Sequence, residues 1–374
     1  MFLGKQKVLF RIANEVFCRP ISEVCDIRED RHAPLDACYI VNAKGDWVNA
    51  IPFKEERRDT YDWEYEKYHA MCVANQKCKE CYCTIDHMFP AISGKQFENE
   101  DGIVANKNWK VESIAAKYIL GGSEKTEDPE GNYQNYIDYY SLMNQAQFKT
   151  VIRDSTLNFS DGVLLGAYMI AGRSFADVYK GLVLEFDEAD PTLVYKLEHL
   201  EDLFHKVSLP LFDFKIEKKD AEIIIRDEQS LVANFINRFV NPYKELNPEA
   251  ILYNTRFREG LLTGLTIVCE DDVHQRNHIF KIATKSQQQY IIDSVELLAT
   301  SLGVATHKEQ FWKNNYLDKV YLCGDFTDNS IEDNKFASQQ HLNFEDNIPF
   351  LVYGFKSREV ENMILPNGLV TRSC

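Results

Sequence analysis

One pattern written twice limits this chain more than any other feature. Residues 258–304 read as an apolar helix with Gly264 in its middle, then a strand, then a second helix. The strand, 278–285 (HIFKIATK), alternates and is rich in β-branched and aromatic residues. The second helix carries Ile291, Ile292, Val295, Leu297, Leu298 and Leu302 on its apolar positions, and Gly303 supplies the residue on which helices end. An earlier copy opens with VLLGAYMIAG at 163–172, an apolar helix centred on Gly166. A strand follows at 180–186 (KGLVLEF), then a helix from Pro191 with leucines at 193, 197, 200 and 203, which closes at Ser208-Leu209-Pro210. Repetition at this scale sets a fold. Two apolar helices with glycine at matching points can pack backbone to backbone, and both helix ends then meet at one shared site.

Composition narrows what that site can do. No stretch approaches the roughly 20 apolar residues that a membrane helix needs, and MFLGKQKVLFRIANEVF lacks the apolar core of a signal peptide. An intracellular location is the expectation. The ten cysteines then read as reduced thiols or metal ligands rather than as a disulfide framework. A net charge of −16 opposes indiscriminate binding of polyanions, because such binding draws on Lys and Arg against phosphate.

The flanks are strand-rich. Short runs at 8–12, 16–21, 37–41 and 47–53 are separated by turn residues such as Lys44-Gly45-Asp46. Arg57 and Arg58, followed by Tyr61, Trp63, Tyr65 and Tyr68, form a basic and then aromatic stretch. It suits phosphate pairing with stacking, or a solvated loop beside an amphipathic strand. Cys72, Cys78, Cys81 and Cys83 cluster near His69 and His87, and Cys78-Lys79-Glu80-Cys81 has a zinc-knuckle gap. A second matching pair is missing, so reduced core cysteines are the default reading and zinc the alternative. Polar segments at 124–136 and 324–346 read as connections, the latter returning the chain to the β-rich part.

The paired helices, LLGAYMIAG at 164–172 and LLTGLTIVCE at 261–270, resemble the two signature helices of the LAGLIDADG (dodecapeptide) homing endonucleases. More specifically, the chain resembles the members of that family inserted in an intein-like (Hint) protein-splicing domain. KIA at 281–283, SLG at 301–303 and 352–374 sit in family register. The resemblance implies an α+β multidomain protein: a β-rich Hint domain interrupted by a pseudo-two-fold αββαββα LAGLIDADG domain. Residues 1–150 and 321–374 would form the Hint part, and 151–320 the endonuclease-like part, with repeats at about 155–245 and 250–320.

The resemblance also implies where chemistry would lie. In the Hint part, MFLGKQKVL aligns with the opening of an intein, and Met1 stands where the nucleophilic cysteine belongs. Thr84 and His87 match the block that assists the first acyl shift. Ser373 replaces the asparagine that cyclises, and Cys374 holds the downstream nucleophile's place. A serine side chain cannot cyclise as an asparagine amide can, so splicing in cis is expected to be lost. In the nuclease part, each signature helix should end in a carboxylate that helps hold divalent metal for phosphodiester hydrolysis. Those positions fall on Ala171 and Cys269; alanine offers no ligand, and a thiol is a poor partner for Mg²⁺. Glu270, Asp271 and Asp272 crowd the second helix end, Asp177 is the nearest acid after the first, and Lys285 holds the position of a lysine beside the scissile phosphate.

Three functions follow as expectations. The chain is a homing-endonuclease-like, duplex-DNA-binding protein derived from an intein, with splicing lost and cleavage impaired. Alternatively it is an active Mg²⁺-dependent site-specific endonuclease using Glu270 or Asp271 with an acid from the first repeat. Or it is a degenerate nuclease fold kept for protein contacts. A monomer with internal pseudo-two-fold symmetry, in which Gly166 and Gly264 carry the helix packing, goes with the first two.

Overall fold

A computed structural model describes residues 1–30, 34, 37–57, 70–99, 102–104, 110–120, 126–127, 134–144, 146–153, 155–173, 181–208, 215–227, 230–269, 279–283, 289–310, 317–323, 334–342, 350–359 and 361–373. The fold is mixed α+β and separates into two units. One joins both ends of the chain, Met1–Gln145 with Phe326–Cys374; the other is the middle, Ala146–Asp325.

The first unit is built of antiparallel sheets. In its six-stranded sheet the late strand Phe350–Lys356 lies between Phe2–Leu3 and Ile51–Arg57, so residues from both ends of the chain share one hydrogen-bonded ladder. The strands Ala70–Asn75 and Glu80–Thr84 continue it, and Phe336–Leu342 borders Ala70–Asn75. A second sheet runs Glu15–Pro20, Lys7–Ile12, Cys38–Val41, Trp47–Asn49, with Gly45 at φ 79° in the turn before its last strand. The single strand expected at 47–53 is two strands in two sheets. The chain leaves the four-stranded sheet at Ala50, whose N–H is taken by the Cys38 carbonyl, and enters the six-stranded sheet at Ile51. Phe2, Phe10, Phe89, Phe336 and Phe355 fill the core. A helix, α1 (Ser22–Asp30), packs beside these strands.

In the middle unit the repeat of the sequence becomes a repeat of topology. The first half runs α2 (Phe159–Ala171), strand Gly181–Glu185, α3 (Leu193–Phe204), strands Lys215–Lys219 and Glu222–Arg226, and α4 (Leu231–Phe239). The second half runs α5 (Thr255–Val268), strand Ile279–Ala283, α6 (Gln289–Leu302), and strands Ala305–Gln310 and Leu317–Cys323. Each half has an antiparallel three-stranded sheet in the same order, with the last strand between the other two. Among the described residues a helix follows the first strand of each half, where the expected αββαββα has a second strand; residues 174–180, 270–278 and 284–288 lie outside the described residues. The heptad-like leucines of α3 account for that helix in the first half: Leu197, Leu200 and Phe204 are buried in the core shared with Ile223 and Ile225.

Local chemistry fixes the helix ends. Asn158 caps α2 in a reciprocal box, its side chain accepting from Asp161 N–H at 3.1 Å while the Asp161 carboxylate accepts from Asn158 N–H at 2.7 Å. Asn254 caps α5 through Phe257 N–H at 2.9 Å. Each cap contributes on the order of 1 kcal/mol. Gly303, at φ 71°, closes α6 with its N–H on the Thr300 carbonyl, and Val304 N–H reaches the Ala299 carbonyl.

Candidate functional site

The helices α2 and α5 lie side by side, running in the same direction, at a separation only glycine allows. A Cβ on Gly162 would stand 2.1 Å from the Phe257 carbonyl oxygen, and one on Gly166 would stand 2.1 Å from that of Leu261. From the other side, a Cβ on Gly260 would meet Phe159 O at 1.9 Å, and one on Gly264 would meet Val163 O at 2.2 Å. All are backbone atoms, so no side chain can yield. Gly162 and Gly260 are as far apart in the chain as Gly166 and Gly264, and the same interval carries Ala171 onto Cys269. Gly166 and Gly264 were named from the sequence; Gly162 and Gly260 were missed, although each precedes its partner by four residues, one helical turn.

At the C-terminal ends of this pair the described side chains are poor in hard ligands. Ala171 is the last residue of α2, and Cys269 caps α5 with its N–H on Leu265 O. Both are buried. A methyl group gives a metal nothing, and a thiol is a soft donor, so these two residues do not fit Mg²⁺. Among the described residues no group of three or more His, Cys, Asp or Glu side chains could hold a metal ion. Glu270, Asp271, Asp272, Asp177 and Lys285 lie outside the described residues, as does the aromatic stretch 58–69.

Beyond α2, Arg173 N–H bonds the Val183 carbonyl, and its guanidinium pairs with Glu185. The inner face of the first-half sheet is set by Leu182, Leu184, Ile223 and Ile225, which are buried. Its outer face carries Lys215, Glu217 and Lys219 beside Glu222, Ile224 and Arg226, and then Val183 and Glu185. Arg226 pairs with Glu217 at 3.2 Å. Acids and bases therefore alternate here, and the face is not a basic stripe of the kind that follows a phosphate backbone.

The first unit brings a second group of expected residues together. The backbone amine of Met1 lies 2.8 Å from His87 Nδ1 and 3.3 Å from Thr84 Oγ1, and Thr84 N–H donates to the Met1 carbonyl at 2.9 Å. His87 Nε2 lies 2.5 Å from Thr371 Oγ1 on the last strand. The imidazole is buried between Phe2 and Phe89. Burial, reinforced by the positive charge at Met1, holds its pKa well below 6.5. Ser373 stands apart from the imidazole's hydrogen bonds: its N–H donates to Glu361 O and its carbonyl accepts from Phe355 N–H. Cys374 is outside the described residues. Thr371 was not anticipated; it lies on the strand Val370–Arg372, which packs against Met88–Asn99, the strand that follows His87.

The cysteine cluster is part of the same sheet. Cys72, Cys81 and Cys83 are buried on neighbouring strands, Cys78 sits in the connecting turn at φ 57°, and none of the four forms a disulfide. Burial pushes the Cys72 thiol up to about 12 and Cys81 well above its usual value. His69 lies outside the described residues.

No protein-family model matches the chain, and no curated protein does. Among solved structures the chain is similar to the homing endonuclease I-DmoI. For its complex with DNA and Mn the identity is 15%, the TM-score 0.30, and the match covers 44% of this chain and 89% of that one. Mesophilic variants of that endonuclease give 14% identity and a TM-score of 0.29 over 46% of this chain and 90% of theirs. Its complex with DNA and Ca gives 14% and 0.28, over 44% and 83%. Likeness at this level carries nothing further about this chain.

Proposed function

We propose that this chain is a homing-endonuclease-like protein that binds duplex DNA through its middle unit, descends from an intein, and has lost splicing and much of its cleavage activity. The observation that carries this reading is the parallel glycine-packed helix pair, whose equivalent end positions hold Ala171 and Cys269. A scaffold that aims two helix ends at one point is suited to paired carboxylates and metal-assisted phosphodiester hydrolysis. With a methyl and a thiol in those places, Mg²⁺ has no ligand from either position. An intein origin is supported by the first unit, in which both chain ends share one sheet and Met1, Thr84 and His87 meet. Lacking a cysteine at Met1 and an asparagine at Ser373, that cluster has no route through the two splicing steps. The protein works as a monomer, its internal repeat standing in for a second subunit, and acts in the nucleus.

The test is a duplex library titrated over a range of salt with Mg²⁺ or Mn²⁺ present. DNA binding that weakens steeply as salt rises, with few or no double-strand breaks, is the expected outcome. Discrete breaks would instead favour an active nuclease using Glu270 or Asp271 with an acid from the first repeat. Absent or salt-independent binding would favour a fold retained for protein contacts, a reading to which the ion-paired outer face of the first-half sheet lends weight. Ala171→Asp combined with Cys269→Asp is expected to create Mg²⁺ uptake measurable by calorimetry; no uptake would overturn the assignment of these two positions.

A further inference from the structure

We propose that the C-terminal end of α2 is a recognition site for a primary ammonium group, filled by the chain's own Lys244. Three acceptors converge there. Lys244 Nζ donates to the carbonyls of Gly172 at 2.8 Å and Tyr168 at 3.1 Å, and it stands 3.3 Å from the centre of the Tyr168 ring. The final carbonyls of a helix carry its negative pole, and an aromatic face attracts a cation; the Tyr168 carbonyl also accepts the Gly172 N–H at 2.9 Å, so the ammonium takes its second lone pair. Among the described residues no carboxylate contributes to the charge balance at this ammonium. Carbonyl dipoles and a ring face do so instead. Burial pulls the group down to about 7.

Two further features indicate that the site is built rather than incidental. Gly172 is the first. A Cβ on it would lie 2.1 Å from Cδ2 and 2.5 Å from Cε2 of Tyr168, so only glycine leaves the ring where it floors the site. Gly172 itself is extended (φ −69°, ψ 131°), so this glycine serves space and not backbone freedom. The second is the turn that presents the lysine. Asn241 Oδ1 accepts from the N–H groups of Tyr243 and Glu245, Asn241 O accepts from Lys244 N–H, and Lys244 is held at φ 65°. A left-handed lysine is uncommon and is sustained by its surroundings. One residue after Glu245, Leu246 N–H bonds Ser294 Oγ of α6 at 2.9 Å. The segment joining the two halves is thus fastened to the second half by a hydrogen bond and to the first by an ammonium.

The experiment is chemical rescue. Lys244→Ala deletes the propylammonium portion of the side chain and leaves its acceptors in place. Added n-propylammonium chloride is expected to raise the thermal midpoint of this variant, while leaving the wild-type midpoint no different from a NaCl control. 1-Propanol, equal in size but uncharged, should not reproduce the effect. Equal responses from the variant and wild type, or equal responses to the amine and the alcohol, would overturn the proposal. Should Lys244→Ala not fold, Lys244→Met retains the stem and removes only the charge. Its Gly172 and Arg173 amides are expected to exchange about tenfold faster than in wild type, and unchanged exchange there would overturn the proposal equally.

Discussion

His87 shows how one residue can be placed by sequence and given its properties by its surroundings. Its ring is buried against two phenylalanines and touches the Met1 amine and Thr371. Burial first, and then the charge at Met1, hold it neutral well below 6.5, with Asp86 pulling weakly the other way. The unfolded chain titrates near the ordinary value, about 6.5. Between that value and the depressed one only the unfolded chain takes the proton, so stability is full above about pH 6.5 and declines as pH falls. Thermal midpoints measured from pH 7.5 to 5 should therefore fall for the wild type and fall less steeply for His87→Gln, which has no proton to take up. Parallel slopes would mean that His87 is not held neutral. Arg258 is a second such residue: fully buried, it donates to the carbonyls of Ser301 and Phe148, and burial lowers its pKa to about 10. Nothing in its sequence neighbourhood announces that role.

At the scale of elements, the parallel pair α2 and α5 governs the middle unit. Four glycines let the two backbones touch, and around them Leu164, Leu165, Leu261 and Leu265 enter one core with residues of α3, α4 and α6. Gly166→Ala or Gly264→Ala would drive a methyl into a backbone carbonyl, which must move because no rotamer relieves it. Overpacking of this kind costs roughly 1–3 kcal/mol or more, which outweighs the roughly 0.5–1 kcal/mol that alanine gains over glycine in helix propensity. Urea unfolding should show a lower midpoint for either variant, with Gly162→Ala and Gly260→Ala behaving alike. A variant as stable as wild type would mean that the helices are farther apart than described.

The whole molecule is two units with separate cores, one of them closed by strands from both chain ends. Each core is therefore expected to suffice for its own unit. Residues 146–325 expressed alone should unfold cooperatively in urea, and residues 1–145 joined to 326–374 by a short glycine–serine linker should do the same. Non-cooperative unfolding of the 146–325 fragment would show that the middle unit leans on its surroundings for stability.

Local pattern by itself determined part of the elements: the amphipathic leucines of α3, the apolar runs of α2 and α5, the closing glycine at 303 and the strands near 8–12, 16–21 and 37–41, while the strand Phe336–Leu342 lies in a segment that reads as a connection. These follow from periodicity and capping, which are properties of neighbours in the chain. The repeat could also be read, because its two copies keep the same spacing between Gly166 and Ala171 as between Gly264 and Cys269. What only the tertiary structure decided are the meetings of distant residues. The strand expected at 47–53 divides because two sheets compete for it, and Thr371 reaches His87 because the last strand is drawn into the first unit. Lys244 became visible as an internal cation only when its turn was folded onto the end of α2. Spacing along a chain carries no information about which carbonyls a flexible four-carbon side chain will find, since that choice is made by packing and by the loss of water around the charge.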